Sequence, residues 1–222
     1  VAFAAPRRQR VATGDVEILD PPTDFDRLDP AWVTLPRGTR LFRIYAPQKF
    51  AGAPVRFRTR GPYVRFDHQR PDADGKPRVD RQRGILYAGV DFLGCVGEYF
   101  GDTGEIVRVG NRLARLSVLS ALTLLDLRGT EARAAGTIPA IGSISQRRTT
   151  QAWARWWYEH PDLTAAHGLI YTSAQSGRDV MAIWERARGR IACRRSNHWG
   201  LDDPRLNDDL NLAAARLRLP LA

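Results

Sequence analysis

The stretch GILYAGVDFLGCVGEYFGD, residues 84–102, restricts the possible folds of this chain more than any other. Its first half is a short apolar run of strand character, and Asp91 follows where a helix N-cap should stand, so a strand feeds a helix directly. At about 100° per residue, Phe92, Leu93, Cys95, Val96, Tyr99 and Phe100 fall on one apolar arc. Gly94, Gly97 and Glu98 share the opposite side. A solvated helix face is normally built from Lys, Arg, Gln and Glu, and this one is two glycines and a carboxylate. Each interior glycine costs about 1 kcal/mol relative to Ala. The pair therefore implies that something approaches the backbone closely on the side that shows Glu98.

The surrounding pattern is strand-rich. RLFRIYAP alternates and stops at proline, PVRFRTR is strand-like, and residues 61–83 read as a polar, turn-rich loop. IVRVG, RLARLSVL and LTLLDLRG read as further strands of a mostly antiparallel sheet. TTQAWARWWYEHP reads as a helix with Thr150 as N-cap and Pro161 beyond its end. GLIYTSAQSG and DVMAIWER form a strand, a turn and a strand, and DPRLNDDLNLAAARLRLPL reads as an amphipathic helix. The expected fold class is α+β. The expected organisation is an irregular N-terminal extension over residues 1–37, one domain over 38–195 and a C-terminal helical tail over 196–222.

With 222 residues and 43% hydrophobic content the chain can bury one core. No run of about 18 uncharged apolar residues exists to span a membrane, and VAFAAPRRQR runs opposite to a secretory signal, so the expected location is the cytoplasm. Cys95 and Cys193 belong to no ligand spacing and read as buried thiols, and the four histidines are dispersed, so no metal site is expected. The formal net charge is +10, and of 34 basic residues only Lys49 and Lys76 are lysines. The arginines are scattered rather than gathered into a stripe, which argues against a nucleic-acid surface. Arginine equally suits phosphorylated small molecules or an acidic partner. No GxGxxG, P-loop, GxSxG or HExxH is present.

Polar residues beside apolar or aromatic neighbours at strand ends carry what chemistry remains: Arg43 in LFRIY, Arg65 in YVRFDH, Tyr87 in ILYAG, Glu98 on the glycine-flanked helix and Ser173 in IYTSAQSG. In this order the segments LFRIYAP, RFDHQ, GILYAGVDFLGCVGEYFGD and GLIYTSAQSGRDVMAIWER resemble the RES domain family, over roughly residues 38–190. The family's arginine matches Arg43, its glutamate matches Glu98 after the Tyr87-Ala strand, and its serine matches Ser173. The chain departs from the family where many members carry GGRWN and this sequence has YVRFDH. The resemblance implies an ADP-ribosyltransferase-like split β-core with flanking helices, holding NAD+ as substrate rather than cofactor. It also implies the toxin of a bacterial toxin–antitoxin pair with an Xre-like antitoxin, and it leaves a homo-oligomer open.

The residue types fit that chemistry. Cleaving the N-glycosidic bond of NAD+ leaves positive charge on the ribose, which a carboxylate stabilises in the transition state. Glu98 takes that role, with its glycines giving the ribose room, and Arg43 is the catalytic partner gripping pyrophosphate or a ribose hydroxyl. Arg65 is the second such arginine, Tyr87 would stack on or orient nicotinamide, and Ser173 would hydrogen-bond its carboxamide or a ribose. The acceptor is phosphate, as co-substrate, or water. Alternatives are a protein ADP-ribosyltransferase, a basic nucleic-acid-binding protein using WARWWY, and a catalytically silent binding module.

Overall fold

The computed structural model describes residues 18–25, 27–49 and 52–222; the VAFAAPRRQR reading and the first seventeen residues of the expected extension lie outside them. The strands in chain order are β1 Trp32–Leu35, β2 Arg40–Tyr45, β3 Arg60–Gly61, β4 Arg78–Val79, β5 Ile85–Gly89, β6 Arg112–Val118, β7 Leu122–Asp126, β8 Gly168–Thr172, β9 Asp179–Trp184, β10 Ile191–Ala192 and β11 His198–Gly200. The helices are α1 Phe92–Phe100, α2 Glu131–Ala134, α3 Arg147–Glu159 and α4 Asn207–Leu217.

One mixed sheet runs β1-β7-β8-β9-β5-β2-β6-β10, with β11 also on β6, while β3 and β4 form a separate small hairpin. Every pairing in it is antiparallel except β7 with β8. Register is continuous from Arg40 to Tyr45 across β2 and β6, and from Ile85 to Gly89 across β5 and β9. Between β2 and β5 it shrinks to the single pair Phe42 with Gly89. The sheet therefore splits at its middle, leaving a gap between two well-paired halves.

Alternation along the strands assigns side chains to opposite layers. Val180, Ala182 and Trp184 of β9 pack with Leu169 and Tyr171 of β8 against the tryptophans of α3. Met181 and Ile183 join Ile170, Leu86 and Leu116 on the other face. A third cluster, where Ile44 meets Cys95, Val96 and Phe100 of α1 and Leu206 and Leu210 near or on α4, closes one side of the split. Each fully buried side chain of this kind stabilises by roughly 1.5–3 kcal/mol.

Several local expectations need correction. Trp32–Leu35 is an edge strand registered on Leu122–Leu125, inside the segment read as irregular. IVRVG is no strand: Ile106 makes one bridge to Leu221, and Val107 and Val109 face solvent. PVRFRTR contributes a bridge at Arg58 and, at its end, Arg60, the first residue of β3. Thr150 is not the cap of α3. The polar residues before it carry the helix back to Arg147, and the Thr150 hydroxyl bonds the Arg147 carbonyl at 3.0 Å. Cys193 is only half-buried, whereas Cys95 is buried.

Candidate active site

Helix α1 starts where the sequence places it, because Asp91 Oδ1 accepts from the Gly94 N–H at 2.7 Å. Its glycines, however, serve another purpose than the one expected. A Cβ on Gly97 would lie 2.6 Å from Ser176 Cβ, and one on Gly94 would lie 3.0 Å from Arg178 Cβ. The turn between β8 and β9 occupies the space expected for a ribose. Gly97→Val is accordingly expected to lower stability by about 1–3 kcal/mol through overpacking, measured by thermal unfolding. A KM increase at unchanged melting temperature would instead put the substrate there.

A cleft of about 440 Å³ opens at the sheet split and is walled by Arg43, Arg65, Tyr87 and Glu98 among others. That volume suits a small-molecule or cofactor ligand, for which roughly 300–1,000 Å³ is usual. Four of the five expected residues thus meet on one cavity. Ser173 does not join them on the wall, where Ala174 and Gln175 stand instead. It is 1% exposed, and its hydroxyl accepts from the Gln175 N–H at 3.3 Å, shaping the turn.

Glu98 is half-buried, and its Oε1 accepts from the Tyr171 hydroxyl at 2.7 Å. Tyr171 is fully buried and packs edge-on against Phe66. Burial, reinforced by the Glu98 charge, pushes the Tyr171 phenol well above its usual pKa, so it remains a donor. One carboxylate oxygen is thereby fixed from below.

Arg43 is 5% exposed and among the described residues donates to the Tyr87 and Arg56 carbonyls alone, each at 3.4 Å. Its Nε has no hydrogen-bond partner among the described residues. Burial draws its pKa down to about 10, which leaves it charged at neutral pH. Leaving a buried donor unmade costs about 1–3 kcal/mol, so a cation held this loosely on a cavity wall is poised for an anionic or hydroxyl ligand. Cys95, beside it on the wall, is pushed up to about 12 by burial and is no nucleophile.

Arg65 and Tyr87 are placed by a residue that the sequence did not single out. Asp67, fully buried, accepts from Arg58 Nη2 through both oxygens at 2.6 and 2.7 Å, and from the Tyr63 and Val64 N–H groups at 2.6 and 3.1 Å. The Tyr87 hydroxyl lies 2.9 Å from Asp67 Oδ1 and also against the Arg65 carbonyl. The ring of Tyr87 rather than its hydroxyl is left for a ligand. The same turn holds Phe66 at φ 59°, in the left-handed region, where a bulky side chain is uncommon. Full burial of Phe66 between Trp157 and Tyr171 keeps it there. Arg65 Nη1 meanwhile donates to the Ile144 carbonyl at 2.5 Å.

The mouth has its own contacts. Asp102 pairs with Arg147 at 2.6 Å and accepts from Gln175 Nε2 at 2.9 Å, linking the end of α1, the start of α3 and the β8–β9 turn. Among the described residues no group of three or more His, Cys, Asp and Glu side chains could hold a metal ion, and no helix is long and apolar enough to cross a membrane. The tryptophans of α3 are at most 7% exposed and form no stacking platform for nucleic acid.

The RES domain family model matches residues 40–203. Among solved structures, a chain in the crystal structure of the M. tuberculosis MbcT-MbcA toxin-antitoxin complex is similar, with a TM-score of 0.50 and 16% identity. That match covers 81% of this chain and 92% of the other, and at this identity it supports a shared fold. No curated protein matches the chain.

Proposed function

The chain belongs to the RES domain family, and on that premise we propose that it is an NAD+-degrading enzyme cleaving the nicotinamide–ribose bond, the toxin of a toxin–antitoxin pair. The observation that carries this reading is Glu98, one oxygen anchored by Tyr171, on the wall of a cleft that also holds the under-bonded Arg43. The family and the likeness to a chain of a toxin–antitoxin complex support the biological role, with an antitoxin as partner.

In the proposed reaction the C1′–N bond breaks heterolytically and its electron pair neutralises the pyridinium, so nicotinamide departs uncharged. Positive charge then grows on C1′ and the ring oxygen, as in glycoside hydrolysis. The free oxygen of Glu98 meets it and binds the adjacent ribose hydroxyls, an interaction stronger in the transition state than in the ground state. Arg43 holds the pyrophosphate or a ribose hydroxyl, and the ring of Tyr87 supports nicotinamide. Phosphate or water completes the reaction at C1′; water then loses a proton to solvent.

The test is to incubate the purified chain with NAD+, with and without inorganic phosphate, and to identify both products. Nicotinamide with a phosphorylated ADP-ribose is expected from a phosphorylase, and nicotinamide with free ADP-ribose from a glycohydrolase. Label appearing on protein would move the reading to ADP-ribosyl transfer, and intact NAD+ would remove the enzymatic reading. Tyr171→Phe is expected to lower kcat about tenfold with KM within about twofold of wild type, because one charge-assisted bond to Glu98 is lost. Equal loss in both parameters at reduced melting temperature would mark Tyr171 as merely structural.

A further inference from the structure

A second basic groove lies at the start of β8, where His167 precedes the strand by one residue. It is lined by Ala121, Thr123, Thr164, His167, Arg186 and Arg190 among others, with no acidic side chain among the described residues of its wall. His167 Nδ1 accepts from the Thr123 N–H at 3.0 Å, so the neutral ring carries its proton on Nε2. Burial, followed by the charge of Arg190 and Arg186, lowers the His167 pKa and keeps the ring neutral at neutral pH.

Both arginines are fixed by neutral acceptors. Arg190 Nη1 donates to the Ala121 carbonyl at 3.0 Å and to Ser120 Oγ at 3.3 Å. Arg186 Nη2 donates to the Tyr158 carbonyl at 2.7 Å, Nη1 to the Leu163 carbonyl at 3.3 Å, and its guanidinium lies 4.0 Å from the Tyr158 ring centroid. Among the described residues neither is ion-paired to a carboxylate. Arg58, Arg128 and Arg178 differ, since Asp67, Asp126 with Asp179, and Asp91 neutralise them. Two uncompensated guanidinium forks and an imidazole donor, already oriented, match the oxygens of a phosphoryl group.

We infer that this groove is an anion-binding site for a phosphoryl group, separate from the cleft at the sheet split. The ligand is inorganic phosphate or the phosphate of a nucleotide, held by Arg190, Arg186 and His167.

The imidazole proton resonances of the whole chain, titrated by NMR with inorganic phosphate and separately with AMP against chloride at equal ionic strength, test this. His167, assigned through His167→Asn, is expected to shift saturably with Kd of about 1–10 mM, while His198 does not follow that curve. Tighter binding of AMP identifies a nucleotide phosphate as the ligand, and equal binding identifies phosphate itself. Arg190→Gln is expected to weaken binding at least about fivefold, and Arg190→Lys, which keeps charge without the fork, to fall between. No His167 shift beyond the chloride control, or equal affinity in Arg190→Gln, overturns the site. Both variants are read only with native dispersion of the other histidine signals; if both lose it, Thr123→Val, which removes only a hydroxyl from the wall, must still shift saturably. No NAD+ is present, so the result is independent of the cleft reaction.

Discussion

Replacing Glu98 by Gln is expected to slow nicotinamide release from NAD+ by about 10³-fold, the scale seen when a preorganised group facing transition-state charge is lost. That is about 4 kcal/mol in the barrier. Gln keeps an oxygen to accept from Tyr171 at the position where Glu98 Oε1 now lies 2.7 Å from the phenol. What it loses is the negative charge opposite the ribose. The loss should fall on kcat with KM near wild type, since the charge matters little to the ground state. Glu98 is half-buried and belongs to no ion pair among the described residues. Stability should therefore change by no more than a surface substitution changes it, within about 0.5 kcal/mol. Steady-state kinetics beside a thermal melt reads both quantities, and a variant that is fully active would remove Glu98 from the mechanism.

The largest expected effect on stability comes from Asp67→Ala. The carboxylate is 0% exposed and compensates Arg58, whose side chain is itself only 13% exposed. Removing it leaves a largely buried cation without its partner, which costs about 3–5 kcal/mol. Two backbone N–H groups and the Tyr87 hydroxyl lose their acceptor at the same time. In a chain of this size each kcal/mol moves the midpoint by about 2–4 °C, so a fall of roughly 6–20 °C is expected. Asp67→Asn, which keeps acceptors but loses the charge that meets Arg58, should fall between the two. A midpoint within about 2 °C of wild type for Asp67→Ala would show that the 63–67 turn is held by the packing of Phe66 instead.

The parts of this architecture that were legible in the sequence rest on local rules. Asp91 caps α1 through a bond three residues ahead, and the alternation of LFRIY places Phe42 and Ile44 against α1. Loosely spaced motifs sufficed to bring Arg43, Tyr87 and Glu98 together, because each sits at a fixed offset within its own strand or helix. What the sequence hid depends on distant segments meeting. The glycine pair advertised a close approach, but the approaching group, Ser176 to Arg178, comes from some 80 residues away. Ser173 sits in a strand-end pattern that suggests a ligand contact, yet the turn it shapes packs against α1 and buries it. Asp67 looked like any loop acid in YVRFDH; its partners Arg58, Tyr63, Val64 and Tyr87 are gathered only by the folded turn. The edge strand Trp32–Leu35 is not legible in the sequence because its partner lies about 90 residues on, and nothing in four residues reveals that.

Pairing between β2 and β5 shrinks to one residue pair beside the cleft that carries both Arg43 and the α1 acid Glu98 on its wall. The most direct measurement is a crystal structure of the Glu98→Gln chain soaked with NAD+, in which cleavage is arrested. The nicotinamide ribose is expected within about 3.2 Å of the residue 98 side chain, with the nicotinamide against the Tyr87 ring and Arg43 on the pyrophosphate or a ribose hydroxyl. NAD+ bound elsewhere, or in this cleft with its adenosine end at residue 98, would contradict that arrangement.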